Sequence, residues 1–221
     1  MNESEESEAV PEADAHYYVT GYTVADDPCV DANGVLVNLL GIRDTASLNI
    51  AEADLSSARL IELRERPIQG SFDLAHLCAI HRHIFQDVYP WAGQPRVVDI
   101  GKGDSMFLAH HQIAARFQGV TRRLAGTRWL ADFRGDLAGY SHEAGIVFAE
   151  INLIHAFREG NGRTQREFLA SLAAEAGFEI NWASVSPQAM ITACSEARGD
   201  AAACCRKIIR LIQLNSMSVR A

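Results

Sequence analysis

The sequence predicts an all-α fold, a helical bundle that carries one small β-hairpin. Apolar residues recur at steps of three and four in several segments, which is the period of an amphipathic helix. The segment 96–107 departs from this period, and the sequence has no internal repeat and no coiled-coil heptad. At 221 residues, 48% of them apolar, the chain suffices for one buried core, so we expect a single domain over residues 17–221.

The predicted helices rest on apolar spacing and on residues that start or stop a helix. The pattern of 52–66 ends before Pro67, and that of 73–86 begins at Asp73 behind Ser71. The helix before the glycine-rich turn at 160–162 delivers His155 at its C-terminal end. The predicted helices are 52–66, 73–86, 111–124, 132–138, 143–154, a helix from the turn at 160–162 to Gly177, and 201–214.

Residues 96–107, RVVDIGKGDSMF, predict a β-hairpin. β-branched residues come first, turn-forming residues follow at 101–104, and an apolar end closes the segment. An ordinary connector between two helices is the alternative that these residues leave open.

Acidic residues are concentrated at the start of the chain. Residues 1–42 contain nine acidic residues and no Lys or Arg, whereas the rest contains nineteen acidic and twenty basic residues. Residues 1–16 have few apolar side chains, so we expect a disordered acidic tail, with a functional acidic arm as the alternative. Nucleic-acid binders usually carry clustered basic residues, whereas this chain has a net charge of −8. We therefore expect no direct nucleic-acid contact.

No segment has the pattern of a targeting or membrane element. The first thirty residues lack the basic and apolar regions of a signal peptide, and no apolar run reaches eighteen residues. We therefore expect a cytoplasmic protein with no membrane partner.

The five cysteines lack metal-ligand spacing, so we expect reduced thiols. The pairs His81/His83 and His110/His111 lack companion ligands, and we expect them at the surface or at helix ends.

Residues 155–166, HAFREGNGRTQR, contain the residue types of a triphosphate site. A glycine-rich turn that opens a helix directs backbone N–H groups and the positive end of the helix dipole at an anion. Arg163 and Arg166 share a face near the start of that helix, where they oppose its dipole and indicate a negative ligand. Glu159 is the carboxylate of the turn, and one carboxylate with substrate phosphates is a usual way to hold Mg²⁺. His155 can accept a proton near neutral pH.

Each of these features also has a plainer interpretation. A single His at a helix end is more often a capping or packing residue, and a Gly-Asn-Gly turn is more often a helix C-cap followed by a new helix. Phe157 suits the core in either case. The combination at fixed spacing favours the phosphate site.

The same twelve residues resemble the Fic motif, His-x-Phe-x-(Asp/Glu)-Gly-Asn-Gly-Arg-x-x-Arg, at every specified position. Proline is common where this chain has Ala156, a position without a catalytic role. Gly162 stands where the phosphate-transferring Doc branch has a lysine, so the resemblance implies transfer of a nucleotide. It extends over about residues 35–200 and implies the Fic fold, a helical bundle with a β-hairpin flap over the active site.

The resemblance implies a protein adenylyltransferase that uses ATP and Mg²⁺. His155 is then the general base for a target hydroxyl, Glu159 holds Mg²⁺, and residues 160–162 form the anion hole. Arg163 binds the β/γ region and Arg166 the γ-phosphate, pyrophosphate leaves, and AMP stays on the target. The expected nucleotide-binding residues are Arg158, Glu159, Gly160, Asn161, Gly162, Arg163, Thr164, Arg166, Lys102 and Gly103.

A flap of this kind binds its target segment by main-chain strand pairing, which leaves the side-chain demands loose. Residues 96–107 correspond to the flap. If the strand alternates, Ile100 and Lys102 point to the same side, so they are our candidates for holding the modifiable side chain.

Fic proteins are commonly inhibited by a helix with the pattern (Ser/Thr)-x-x-x-Glu-(Gly/Asn), whose Glu pairs with the second motif arginine. In these 221 residues the only Glu followed by Gly or Asn is Glu159 itself. The resemblance therefore implies a toxin whose small antitoxin places the Glu of a separate helix against Arg166. Stand-alone toxins of this kind modify the ATPase subunits of DNA gyrase and topoisomerase IV, which are the expected targets.

Two other functions stay open at this point. The scaffold could transfer another nucleotide, such as UMP, or a phosphate or phosphocholine group. It could also be a non-catalytic ATP-binding partner protein, against which the intact motif argues.

Overall fold

The computed structural model of the chain describes residues 27–102, 105–195 and 201–218. These ranges contain seven α-helices and two antiparallel two-stranded sheets. The helices are α1 (Thr45–Glu65), α2 (Leu74–Phe85), α3 (Ile113–Gly126), α4 (Leu137–Ile154), α5 (Asn161–Glu175), α6 (Pro187–Ser195) and α7 (Ala201–Asn215), and the strands are β1 (Gly101–Lys102), β2 (Ser105–Met106), β3 (Phe178–Ile180) and β4 (Ser216–Ser218). The predicted helical architecture is confirmed, while the predicted acidic tail of residues 1–16 lies outside the described residues.

Three helices begin behind an aspartate that caps the N–H groups of the first turn. Asp44, Asp73 and Asp136 each accept a hydrogen bond from the N–H three residues later, ahead of α1, α2 and α4. Because of these caps, α1 and α4 begin well before the predicted starts at residues 52 and 143.

Residues 132–138 do not form the separate helix that was expected from their pattern. The chain makes a short 3-10 turn, Ala131–Phe133, and then passes through Gly135, with φ 86°, into α4. Residues 128–130, before this turn, all have positive φ between 48° and 65°, which interrupts helical geometry. This prediction was wrong because residues with positive φ lie on both sides of the short turn and interrupt helical geometry.

Helix α4 runs through the middle of the bundle, between α3, α5 and α7. Its buried side chains form one wide face over about half of its circumference, while Leu153 on the opposite side is 46% exposed. Helix α7 packs closely against α4 at Gly145, where an added Cβ would overlap the Ile209 side chain and lie 2.9 Å from its Cα. The packing fixes α4, and with it the position of His155 at its C-terminal end.

The sequence pattern does not predict α6 or the sheet of β3 and β4. Strand β3 follows α5 through Gly177, with φ 77°, and pairs with β4 beyond the end of α7, with Glu179 opposite Met217. A three-residue strand is too short to show an alternating pattern, and its pairing is long-range.

None of the described helices combines the length and the apolar character that a membrane crossing requires. Cys29, Cys78 and Cys194 are reduced thiols, as expected. Burial raises the pKa of Cys29 and of Cys78 to about 11, so both stay protonated and unreactive near neutral pH.

We expect Gly145→Ala to destabilise the protein and Gly119→Ala to leave it as stable or more stable. The methyl group at 145 pushes α4 and α7 apart, and such overpacking costs about 1–3 kcal/mol. Gly119 lies inside α3, where an added Cβ meets only Arg122 Nη2 at 4.0 Å, and Ala gains about 0.5–1 kcal/mol of helix propensity. Thermal unfolding measures both effects, and equal midpoints would contradict the close contact of the two helices.

Candidate active site

The loop between α4 and α5 is bounded by two residues with left-handed backbone conformation. His155, the C-cap of α4, has φ 46°, and its N–H donates to Ile151 O at 3.0 Å. Gly160, the N-cap of α5, has φ 78°, and an added Cβ there would overlap the Phe85 ring, so only glycine fits. The predictions that α4 delivers His155 and that a helix begins at the glycine-rich turn are confirmed.

The imidazole of His155 is oriented by contacts on its edge and on its face. Nδ1 lies 3.2 Å from the carbonyl oxygen of Asn152. Because a carbonyl oxygen only accepts, the neutral ring carries its proton on Nδ1 and its lone pair on Nε2. Phe107 stacks on the ring, with centroids 3.8 Å apart and planes at 12°. Nε2 is therefore the atom that can take a proton.

Asn161 and Thr164 use their side chains to hold the loop itself. The Asn161 amide accepts from Phe157 N–H at 2.9 Å and donates to Phe157 O at 2.6 Å. Thr164 is fully buried, and its hydroxyl donates to Gly160 O at 3.0 Å. Both side chains face protein groups, and their predicted contacts with a nucleotide stay predictions.

A buried ion pair joins the loop to the first described residues. Arg158 Nε lies 2.6 Å from Asp27 Oδ2, and the two side chains are 1% and 0% exposed. Asp27 Oδ1 also accepts from Cys29 N–H at 2.9 Å. Arg158 is thus directed toward Asp27, although the sequence suggested a nucleotide. Removal of one partner from such a pair leaves an uncompensated buried charge, which costs about 3–5 kcal/mol.

The start of α5 carries the backbone donors of the predicted anion hole. The first bond within the helix runs from Thr164 N–H to Gly160 O at 3.1 Å, so the N–H groups of residues 161–163 precede the helical ladder. Gly162 is exposed, and an added Cβ would come no closer than 3.5 Å to Arg166 Nη1. The start of α5 is therefore open to a ligand at Gly162.

Arg163 lies between carboxylates of α1 and of the loop. Its guanidinium makes an ion pair with Glu52 and donates to Ser56 Oγ at 2.9 Å. Its Cζ lies 4.7 Å from the centre of the Phe85 ring, and Nη2 lies 3.7 Å from Glu159 Oε1. Sequence reasoning missed Glu52 because it lies on a helix more than a hundred residues away.

The ionisable groups beside Arg163 are shifted by burial and by one another. Burial raises the pKa of Glu159, and the neighbouring Glu52 carboxylate raises it further. Burial lowers the pKa of Arg166, and Arg163 adds to this effect. Within the described residues, no hydrogen bond or ion pair engages Arg166. The Glu167 carboxylate acts on Arg166 only from a distance, so a phosphate beside Arg166 would supply the directly bonded anion.

The flap within residues 96–107 is a hairpin, as predicted, with β1 and β2 paired antiparallel. Ile100 is 1% exposed, and its carbonyl accepts from Phe107 N–H at 3.0 Å. Its side chain is therefore buried, and its predicted contact with the modifiable side chain stays a prediction. The side chain of Lys102 and all of Gly103 lie outside the described residues.

Comparisons with known proteins agree with the motif. The chain matches the Fic/DOC family over residues 71–173. It is 37% identical over 193 residues to the "Probable protein adenylyltransferase y4lH" of Sinorhizobium fredii, covering 86% of this chain and 98% of that protein. The chain belongs to the Fic/DOC family. It is also 43% identical over 177 residues to the protein adenylyltransferase VbhT of Bartonella schoenbuchensis, covering 80% of this chain but only 37% of that longer relative.

Solved structures give the same fold. BepC of Bartonella tribocorum, with bound AMPPNP, superposes with a TM-score of 0.80 at 23% identity, covering 87% of this chain and 97% of that one. The N-terminal Fic domain of a Bartonella quintana protein, with bound ADP, gives a TM-score of 0.78 at 25% identity, covering 87% and 95%.

His81, on α2, packs against the Fic motif loop and stabilises it. It is fully buried on α2 and stacks on Phe157, with centroids 3.9 Å apart and planes at 21°. Nε2 lies 3.0 Å from Glu159 O and therefore donates, while Nδ1 accepts from Gly93 N–H at 2.8 Å. The expected surface position was wrong, since His81 follows Leu77 by four residues on the apolar face of α2, a spacing visible in the sequence. The remaining members of the two histidine pairs lie at partly or fully exposed positions, as expected: His83, His110 and His111.

Replacement of His81 by Gln keeps a donor and an acceptor but removes the titrating ring. Burial lowers the pKa of His81 from 6.5 to about 4. The neutral ring therefore stabilises the folded state above pH 6.5, and this contribution, about 3 kcal/mol, is lost as the pH falls toward 4. We expect the stability advantage of the wild type over His81→Gln in urea unfolding to shrink across that window. An advantage independent of pH would contradict a neutral buried His81.

Proposed function

We propose that this chain is a protein adenylyltransferase, which transfers AMP from ATP to a hydroxyl side chain of a target protein. The observation that carries the proposal is the loop geometry. The basic Nε2 of His155 and the donor-rich start of α5 lie at opposite ends of one short loop that buried contacts hold in place. Relatives at 43% and 37% identity are named protein adenylyltransferases, and a Fic domain at 25% identity has bound ADP, which supports ATP as the substrate.

In the proposed reaction, Nε2 of His155 takes the proton of the target hydroxyl as the hydroxyl oxygen forms a bond to the α-phosphorus of ATP. The bond from that phosphorus to the bridging oxygen breaks, and pyrophosphate leaves. N–H groups at the start of α5 stabilise the charge on the phosphate oxygens. Arg166 binds the terminal phosphate, and Arg163 adds positive charge beside it. Positioning and charge stabilisation suffice, and no covalent nucleophile is needed.

Mg²⁺ is the metal expected with ATP, and the residues present fit it. Glu159 is 24% exposed at the loop, and its Oε1 accepts from Gly160 N–H at 2.7 Å, which orients the carboxylate. Mg²⁺ usually takes one or two protein carboxylates and completes its shell with phosphates and water. Glu159 would hold the ion, which would neutralise charge on the phosphates. In the described ranges no cluster of three or more His, Cys, Asp or Glu side chains offers another metal site.

We also propose that a separate small antitoxin inhibits this enzyme by placing a Glu against Arg166. The sequence pattern of an inhibitory helix does not occur in these 221 residues. Arg166 makes no ion pair within the described residues, so a carboxylate from a partner has a cation to bind. Such a carboxylate would occupy the place proposed for the terminal phosphate and thereby exclude productive ATP.

The proposed biological role is that of a cytoplasmic toxin acting on the ATPase subunits of DNA gyrase and topoisomerase IV. The resemblance to stand-alone Fic toxins supports this choice. An AMP group on a hydroxyl of an ATP pocket would block that pocket sterically. Strand pairing with the flap would dock the target segment with few side-chain requirements.

His155→Ala should lower AMP transfer by at least about 100-fold, because the general base is lost. ATP affinity should stay unchanged, since His155 is not proposed to bind phosphate. Transfer is measured as label incorporated from [α-³²P]ATP into proteins of a cell lysate, and mass spectrometry identifies the group added. A wild-type chain that labels no protein, or adds a group other than AMP, would contradict the proposed activity.

Arg166→Lys should weaken ATP binding by about tenfold or more, because the bidentate contact with the terminal phosphate is lost. Arg123→Lys is the matched control, since Arg123 pairs with Glu143 on the surface between α3 and α4. Calorimetric titration with ATP and Mg²⁺ compares the two variants, and equal affinities would count against Arg166 as a phosphate ligand.

Production of the wild-type chain alone should arrest bacterial growth, whereas His155→Ala produced at the same level should not. Growth arrest by both variants would indicate an effect other than AMP transfer. Normal growth with an active wild-type enzyme would contradict the proposed toxin with a separate inhibitor.

A further inference from the structure

We infer that Arg96 is a positioning residue that holds the flap and the catalytic base as one rigid unit. The inference rests on the proposed transfer of AMP, in which His155 is the base and the flap binds the target. Arg96 precedes the flap hairpin, and its side chain is fully buried.

The guanidinium of Arg96 binds carbonyl oxygens of three separate segments. Nε donates to His155 O at 2.9 Å, and Nη2 donates to Ile154 O at 3.2 Å, both at the end of α4. Nη1 donates to Val98 O at 2.7 Å before β1, and Nη2 also donates to Leu108 O after β2. One side chain therefore joins both arms of the flap to the residue that carries the base.

The main chain adds bonds between the same segments. Arg96 N–H donates to Ala156 O at 2.9 Å, and Leu108 N–H donates to Leu153 O at 3.2 Å. Phe107, next to Leu108, stacks on the His155 ring. A movement of the second flap arm would therefore shift the aromatic face that orients the imidazole.

The chemistry of this position requires arginine. The last carbonyls of a helix have no partner within the helix and form the negative end of its dipole, so a cation with several donors suits them. Guanidinium presents five N–H donors in a fixed plane, whereas an ammonium group is a compact point charge that cannot reach the same spread of acceptors. Arg96 also stabilises His155 in a left-handed conformation, with φ 46°, that is strained for a residue other than glycine.

Arg96→Lys tests this role, because lysine keeps the charge but loses the planar array of donors. Arg134→Lys is the matched control, since Arg134 is an exposed arginine that donates to the last carbonyl of α5, Glu175 O, at 2.7 Å. Each variant is assayed for the rate at which [α-³²P]ATP labels the target band of the wild type in lysate. Calorimetry gives the ATP affinity, and ¹⁵N NMR reports the tautomer of the His155 ring.

We expect Arg96→Lys to lower the labelling rate by about 10- to 100-fold, the loss that a displacement of about 1 Å produces in a catalytic group. ATP affinity should change by less than about twofold, since loss of the Arg96 guanidinium leaves the start of α5 in place. The Nδ1–H signal of His155 should give way to a mixture of tautomers, and Arg134→Lys should match the wild type in all three measurements. The inference would be overturned if Arg96→Lys labels the target at the wild-type rate. It would also be overturned if the rate falls only in proportion to the fraction of the variant that is folded.

Amide hydrogen exchange in the wild type tests whether the flap and the end of α4 open together, and this measurement does not depend on AMP transfer. The N–H groups of Arg96, Leu108 and His155 lie in the three joined segments, so their protection factors should agree within about threefold, as expected of one cooperative unit. Exchange of Leu108 far ahead of His155 would show that the flap opens alone and that Arg96 does not couple them. A wild type that labels no protein would reject the proposed function, while a comparison of amide exchange in the wild type and in Arg96→Lys would still decide the role of Arg96.

Discussion

The end of α4 and the start of α5 meet inside the protein across a loop of a few residues, and the rest of the site depends on how this meeting is stabilised. Helix ends carry backbone groups without partners, and a buried group left unbonded costs about 1–3 kcal/mol. The guanidinium of Arg96 satisfies the last carbonyls of α4, and the Asn161 amide closes the turn ahead of α5. The loop is rigid because its backbone cannot relax without losing these bonds, and rigidity is what a positioned base requires.

The three arginines of the motif loop have three different electrostatic environments. Arg158 is neutralised by Asp27 in the interior, and Arg163 is held by Glu52 at the base of α5. Arg166 makes no such pair within the described residues, and burial lowers its pKa. The protein therefore supplies its own anions to the two arginines that fasten the loop. The positive charge offered to a ligand is mainly that of the third, together with the dipole of α5.

The sequence predicts features that depend on neighbouring residues, and it fails where partners are distant. The motif loop, its flanking helices and the flap hairpin are local patterns, and all three are confirmed. Asp27 and Glu52 lie more than a hundred residues from the arginines they bind, and His81 lies 78 residues from Glu159. Periodicity indicates which face of a helix is buried but not which group it meets there. The short strands β3 and β4 escape prediction for the same reason, since their stability comes from long-range pairing.

Helical geometry separates the motif residues that hold the loop from those that can face a ligand. Phe168 and Leu169 define the buried face of α5, and Thr164 and Gln165, four residues earlier, lie on that face. Residues 162, 163 and 166 lie on other faces, where Gly162 is exposed and both arginines are only partly buried. The spacing that identifies the apolar side of the helix thus also indicates that the Thr164 hydroxyl binds the backbone. The place of a residue on α5 therefore indicates whether its side chain can serve the chemistry or the shape of the loop.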